Sequence, residues 1–516
     1  MNRSRLLRPV VPAAVASVLA AVAAPSHAAD DFPTVEAHFL APDLSSAGAA
    51  VAVGPDGSVH MTAATYNDGG DDAVLYAHCA ADCARRENWR GVTMPVPRAI
   101  RAEIALTPGG APRLLILAAA ADNPGGRDFI YAECGAREAE GVPDACFGPG
   151  GWAIGRVASN HETAMGNFFE LLLPQRTFAV DHRGNPRFVM TDSNYLVEPD
   201  HYGAFYMSCD GGCTDPRNWT ETNLALQAGY STESFTRPVL ALGPSGSAHV
   251  LAWVFAFAPD GSDLPDDLYY YECPANCTDG RNWQRASLIN AGSGSYPSPT
   301  WDLAIDPRGR PRAAVFMGGG SESDDLDYTL IYLWCDSGAC TGDESWGGWV
   351  VQGEGSHGES PALAIDAAGR PRIAFLTSRA LPALAACDRD CEGEAPEWSA
   401  WEFEAEPDMA ADRPTAIPFT CDAELWNAMS PDLALGPDGS VHVAYDVSVQ
   451  ARCLYQEFMD PQITYEFHEI WRGVRLAALP PVGTPAPALP VDRAQEAAPA
   501  EREEAAPQPA RPRSRF

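Results

Sequence analysis

The sequence predicts an all-β chain folded as a seven-bladed β-propeller of four-stranded, disulfide-stapled blades. Three observations carry that expectation. A phrase Ala-(Leu/Ile/Val)-(Asp/Gly)-x-x-Gly-x-(Pro/Val/Ala)-(Arg/His) begins at Ala52, Ala105, Ala179, Ala241, Ala304, Ala364 and Ala434, with Thr107 the one departure at its third position. Successive copies lie about 60 residues apart, which is one small sheet plus its loops and too long a step for a β-solenoid. Cysteines recur at one place in each unit, followed in most units by a tryptophan: Trp89, Trp152, Trp219, Trp283, Trp346 and Trp398.

The chain opens with Arg3, Arg5 and Arg8, an alanine-rich apolar run from Val10 to Ala24, and Ser26-His27-Ala28. That is the pattern of a secretory signal peptide over residues 1–28, and its apolar run is short for a membrane span. No later segment stays apolar long enough for a transmembrane helix.

Residues 29–478 form the propeller, and the fifth unit shows the order of its elements. Trp301-Asp-Leu-Ala-Ile305 is a short apolar strand, Asp306-Pro-Arg-Gly309 a turn, and Pro311-Arg-Ala-Ala-Val-Phe316 the returning strand, a hairpin signal. Tyr328-Thr-Leu-Ile-Tyr-Leu-Trp334 is a third strand rich in aromatic and β-branched residues, and Trp346-Gly-Gly-Trp-Val-Val351 a fourth. Four such strands are one propeller blade. For ring closure two terminal segments compete as the outermost strand, Thr34–Phe39 and Ile463–Val474. Residues 479–516, rich in Ala, Pro, Glu and Arg, lack the apolar content for a core and read as a disordered tail.

The chain has 14 cysteines, an even set suited to an oxidising compartment. Close spacing pairs Cys79 with Cys83, Cys209 with Cys213, Cys273 with Cys277, Cys335 with Cys340 and Cys387 with Cys391. Cys134 with Cys146 is the same staple with a longer loop, leaving Cys421 with Cys453. The formal net charge is -34, and the signal segment removes only arginines, so the exported chain is more acidic still. Such a surface repels nucleic acid and anionic lipid. The chain has no lysine, which excludes Schiff-base catalysis and a Walker-type phosphate loop. The expected location is secreted, periplasmic or cell-envelope, and the expected state a monomer.

Positions repeated in every unit read as scaffold. The phrase ends in His60, Arg113, Arg187, His249, Arg312, Arg372 and His442, which read as hydrogen-bonding groups that build the blade rather than as an anion-binding ring. The tryptophans read as blade-to-blade core. Stretches such as Cys209-Asp-Gly-Gly-Cys-Thr-Asp-Pro-Arg-Asn-Trp219 and Cys273-Pro-Ala-Asn-Cys-Thr-Asp-Gly-Arg-Asn-Trp283 resemble the bacterial sialidase-like (BNR, Asp-box) propellers, and specifically exported ones with a Cys-x-x-x-Cys staple. The resemblance implies architecture over residues near 45 to 476. The Asp-box itself, Ser-x-Asp-x-Gly-x-x-Trp, does not occur, and no catalytic motif of that family is matched.

Function is therefore sought where the units differ. Two interruptions are long, Gly155 to Pro174 and Ala405 to Pro431. They hold His161 and Glu162, and Asp422, Glu424 and Trp426. Between second and third strands lie Asn194, Tyr195, Asp200, His201 and Tyr202, while Tyr230, Tyr296 and His357 occupy other inter-strand segments. Aromatic rings with amides and acids suit a carbohydrate, stacking on apolar sugar faces and bonding hydroxyls. The favoured function is non-enzymatic recognition of a glycan or an extracellular protein surface. The alternative is an extracellular glycoside hydrolase or lyase using face-loop carboxylates, and a third reading is a structural surface protein tethered by its tail. No cofactor is required by these readings. Calcium is the ion that Asp68, Asp71 and Asp72, Asp266 and Asp267, or Asp324, Asp325 and Asp327 would take as clustered carboxylates.

Overall fold

A computed structural model describes residues 38–481, apart from 40–44, 67–72, 122–125, 137–139, 161–175, 193–202, 225–232, 257–266, 291–299, 318–328, 343–344, 353–357, 405–420, 457–463 and a few single positions. The described residues form seven four-stranded antiparallel sheets, six of them running in sequence order from first strand to fourth. First strands of neighbouring blades meet around the ring, including blade 1 (Ser45–Val53) against blade 7 (Cys421–Leu435). No helix among the described residues is long and apolar enough to cross a membrane.

The ring closes with the amino-terminal strand. His38 and Phe39 pair with Leu476 and Arg475, so the last blade takes its outermost strand from the start of the chain. The other contender, Thr464–Leu479, is the third strand of that blade.

Six disulfides staple the blades as the cysteine spacing predicts: Cys79–Cys83, Cys134–Cys146, Cys209–Cys213, Cys273–Cys277, Cys335–Cys340 and Cys387–Cys391. Cys421 and Cys453 stand opposite each other in the backbone register of blade 7, and their side chains lie outside the described residues. Each staple holds the turn between third and fourth strands. In five blades the indole beyond it donates to the carbonyl of the second cysteine, as Trp152 does to Cys146 at 2.9 Å and Trp346 to Cys340 at 2.8 Å.

Four of these indoles, and Trp398 at the same place in blade 6, join the blades. Trp152 meets Tyr76 of the preceding blade edge-on, and the pattern recurs in Tyr131–Trp219, Tyr206–Trp283, Tyr270–Trp346 and Tyr332–Trp398, with ring centroids 5.0 to 5.8 Å apart. Such T-shaped pairs contribute roughly 0.5–1.5 kcal/mol each beyond area burial.

The Arg/His position is buried in blade construction, in two versions that co-vary with the turn. Where the phrase carries Asp, the Arg guanidinium bonds the carbonyl of the first cysteine and lies near the turn carboxylate. Arg312 reaches Cys335 O at 2.8 Å and Asp306 at 3.2 Å, and Arg187 and Arg372 repeat this. Where it carries Gly, a Ser-x-His pair replaces the ion pair: Ser58–His60, Ser247–His249 and Ser440–His442. The serine hydroxyl then fills the room of the missing side chain, and a Cβ on Gly54 would sit 2.6 Å from Ser58 Oγ. Gly54→Asp is expected to destabilise by about 1–3 kcal/mol through overpacking, with part of the loss returning when His60→Arg is added. Urea midpoints check both, and a neutral Gly54→Asp contradicts the pairing.

Candidate functional site

Strand direction divides the ring into unlike faces. Turns from first to second strand and the stapled turns from third to fourth share one side, the turn face. Connections from second to third strand, and from one blade to the next, share the other, the loop face. The turn face carries seven copies of the same hairpin, and most of its buried polar groups are satisfied within the blades. Differences among blades concentrate on the loop face.

Near the axis, three first strands carry an acid two residues before the repeated alanine: Glu103, Asp302 and Asp432. Each reaches the first strand of the following blade. Glu103 accepts from Thr177 N at 2.7 Å and Phe178 N at 3.0 Å, Asp302 from Leu363 N at 2.6 Å, and Asp432 from Val51 N at 2.8 Å. Carboxylates in these places do for the ring what backbone pairing cannot, since adjacent blades share no ladder.

Arg176 balances this charge. It precedes the first strand of blade 3 (Phe178–Val180) and extends across the axis to the far side of the ring. There its Nε donates to Asp432 at 2.9 Å, one terminal nitrogen lies 3.1 Å from Asp302 and donates to Leu363 O at 2.6 Å, and the other bonds Leu433 O. Burial pushes the Asp302 carboxyl up to about 6, with Arg176 and two backbone N–H groups opposing. Burial likewise raises Glu103, against the pull of Arg101 at 2.8 Å and of Thr177.

Between blades 2 and 3 the loop face holds a narrow recess of about 30 Å³, room for a water or two. Leu115, Leu117, Phe129, Val189 and Met190 form its apolar surface, and Arg101, Glu103, Asn160, Thr177 and Thr191 its polar one. Asn160 spans the two blades, its Oδ1 accepting from Arg127 N at 2.9 Å and its Nδ2 donating to Thr191 O at 2.8 Å.

Two corrections concern the interruptions. Gly155–Asn160 belongs to the fourth strand of blade 2 (Trp152–Asn160), so the first interruption starts at His161. Cys421–Pro431 belongs to the first strand of blade 7, so Asp422, Glu424 and Trp426 are in a strand and not in a loop. Polar and turn-forming residues there are absorbed by register shifts at Ala423/Leu425 and Met429/Asp432.

Among the other sequence-predicted residues, His161, Glu162, Asn194, Tyr195, Asp200, His201, Tyr202, Tyr230, Tyr296 and His357 lie outside the described residues. The same holds for Asp68, Asp71, Asp72, Asp266, Asp324, Asp325 and Asp327. Asp267 is described: it is buried at the start of a third strand, hydrogen-bonded to Ser287 and Tyr269, with burial raising its carboxyl. No group of three or more His, Cys, Asp or Glu that could hold a metal occurs among the described residues. Arg176, Glu103, Asp302 and Asp432 were not singled out by sequence, although the acids share one repeat position that would have shown them.

No family model matches the chain, and no curated protein matches it. Among solved structures, an α-L-arabinanase of Penicillium chrysogenum is 13% identical, covering 72% of this chain and 96% of its own, with a TM-score of 0.40. A PL25 ulvan lyase is 10% identical over 81% of this chain and 91% of its own, TM-score 0.44. An intramolecular trans-sialidase of Ruminococcus gnavus is 10% identical over 89% of this chain and 99% of its own, TM-score 0.38.

Proposed function

We propose that the protein engages an extracellular glycan on its loop face, with binding without turnover as the first reading. The recess between blades 2 and 3 supports it. Partly exposed Leu117 and the Arg101–Glu103 pair offer a small amphipathic edge at its mouth, while Phe129, Leu115, Val189 and Met190 are buried behind it. The axial acids favour recognition over chemistry, because Glu103, Asp302 and Asp432 already accept backbone N–H groups that hold the ring together.

A glycoside hydrolase or lyase is the second reading. Its support is Asp302, whose carboxyl burial pushes up to about 6, beside a second carboxylate, Asp432, held by the same Arg176 guanidinium. Acids of the connecting segments, Glu162 and Asp200 among them, would then act with or instead of this pair.

A glycan array run beside turnover assays on arabinan, ulvan, sialosides and chromogenic glycosides tests both. Binding with no product supports recognition. Turnover that Glu162→Gln or Asp200→Asn abolishes establishes the enzyme and overturns the binding-only reading. Neither binding nor turnover across the panel removes the glycan proposal altogether.

A further inference from the structure

Six blades present the outer edge of a fourth strand, and the backbone N–H and C=O groups along such an edge take up another strand unless something blunts it. Charge blunts five of the six. Trp89–Met94 carries Arg90, Trp152–Asn160 carries Arg156, Trp219–Asn223 carries Glu221, Gln284–Asn290 carries Arg285, and Trp398–Glu402 ends in Glu402. The stapled turn of the following blade also closes on three of these edges. Arg90 meets Asp144 at 2.8 Å, Gln284 accepts from Thr341 at 3.1 Å, and a Cβ on Gly155 would sit 1.9 Å from Thr214 O. Blade 7 ends in the two-residue strand His38–Phe39, too short an edge to template a partner.

Blade 5 has neither protection. Its fourth strand, Trp346-Gly-Gly-Trp-Val-Val-Gln352, has no charged residue and no proline. Among the described residues no hydrogen bond or ion pair ties it to blade 6. Val350 is 51% exposed, the most exposed large hydrophobic side chain of the described residues, while Ile154 at 40% stands on the strand that the blade 3 staple covers. The strand also fits itself. Trp346 to Val350 pair regularly with Cys335 to Ile331 of the third strand, and a register shift beyond Val350 ends the regular stretch. A two-fold axis through Gly348 sets these five residues antiparallel to their own copy, with Trp346 opposite Val350, Gly347 opposite Trp349 and Gly348 opposite itself. Aromatic and β-branched side chains then meet each other or a glycine, which are favourable cross-strand partners, and no like charges come together.

We infer that this edge binds a second copy of the chain, the two Trp346–Val350 stretches pairing antiparallel about Gly348 and joining two blades into one eight-stranded sheet. The contact is isologous and closes as a two-fold dimer. It stands independently of the glycan reading, since it uses the outer rim and leaves both faces of the ring free. A five-residue pairing buries less than the roughly 800 Å² per partner of a standard stable interface, so the dimer is weak. The formal net charge of -34 on each copy opposes it at low ionic strength, and salt relieves that opposition. The acidity behind the expectation of a monomer therefore sets the conditions of assembly, and the uncharged edge sets its place.

Sedimentation velocity of the full chain from about 5 to 500 µM, in about 0.05 and 0.5 M NaCl, tests the inference. The wild type should shift from monomer toward dimer with concentration, and further at the higher salt. Val350→Asp should weaken the dimer at least about tenfold, because it sets a carboxylate against Trp346 of the second copy. Ile154→Asp adds the same charge to the blade 2 edge and should leave the high-salt equilibrium within about twofold of wild type. Val350→Thr keeps a β-branched side chain and should retain most of the association. Melting curves confirm that each variant folds, and Val350→Ser replaces Val350→Asp if the latter does not. A wild type that stays monomeric throughout the range in high salt overturns the inference. So does a dimer that Val350→Asp leaves intact, or that Val350→Asp and Ile154→Asp weaken equally.

Discussion

Arg176→Met should cost about 3–5 kcal/mol of folding stability, the penalty for removing one member of a buried ion cluster. Asp302 and Asp432 are 4% and 12% exposed, and Arg176 is the cation the structure places against both. Methionine keeps much of the volume, so the loss reports charge and hydrogen bonds, including those to Leu363 O and Leu433 O. Arg176→Lys should fall between, because an ammonium keeps the charge but cannot reach separate acceptors as a planar fork does. Adding Asp302→Asn to Arg176→Met should recover part of the loss, since the amide oxygen still accepts from Leu363 N while the stranded charge disappears. Urea unfolding measures all three. A loss below about 1 kcal/mol for Arg176→Met would mean that water screens the axial acids, as it does surface pairs.

Much of the fold was legible because its information is local and repeated. Hairpin, staple and tryptophan each occupy a few consecutive residues, and seven copies average out the exceptions such as Thr107. The closing strand was not legible, because the choice between His38–Phe39 and Thr464–Leu479 depends on which edge is left when the ring is complete. Blade 7 was misread for a related reason. Asp422, Glu424, Asn427, Ser430 and Pro431 look like loop residues, yet pairing with a long second strand, eased by the bulge beside Ser430 at φ 50°, holds them extended. The axial acids show a different gap. Glu103, Asp302 and Asp432 stand at one repeat position, which is visible in the sequence, but only Arg176 reaching from blade 3 reveals that they converge. The recess between blades 2 and 3 has no sequence signature at all, since Phe129 and Met190 are ordinary strand residues until two blades are set side by side.

The buried histidines should withdraw stability from this protein as pH falls below about 6.5. Burial holds His60 down to about 3 and His249 to about 4, with His78 adding to the effect at His60, and it lowers His442 as well. In the unfolded chain these rings take up protons near 6.5. Between that value and their folded values the unfolded state binds more protons, so stability falls as pH falls, by about 1.4 kcal/mol per pH unit for each ring. Asp302 acts in the opposite sense: its folded value of about 6 lies above the unfolded one, so protonation below 6 favours the fold. Glu103 contributes in the same direction. Burial raises Asp267, Glu272 and Glu392 as well, so these carboxyls oppose the histidines below pH 6, and the histidine share is isolated by replacing one ring. His249→Gln retains a hydrogen-bonding group for Ser247 and cannot take up a proton. It should therefore flatten the acid limb of a stability–pH curve while costing stability at pH 7, where the lost bond to Tyr270 is felt. Unfolding free energies from pH 7.5 to 4.5 decide it: equal slopes in wild type and His249→Gln would show that the ring protonates in place, with the Ser247–His249–Tyr270 chain open to water.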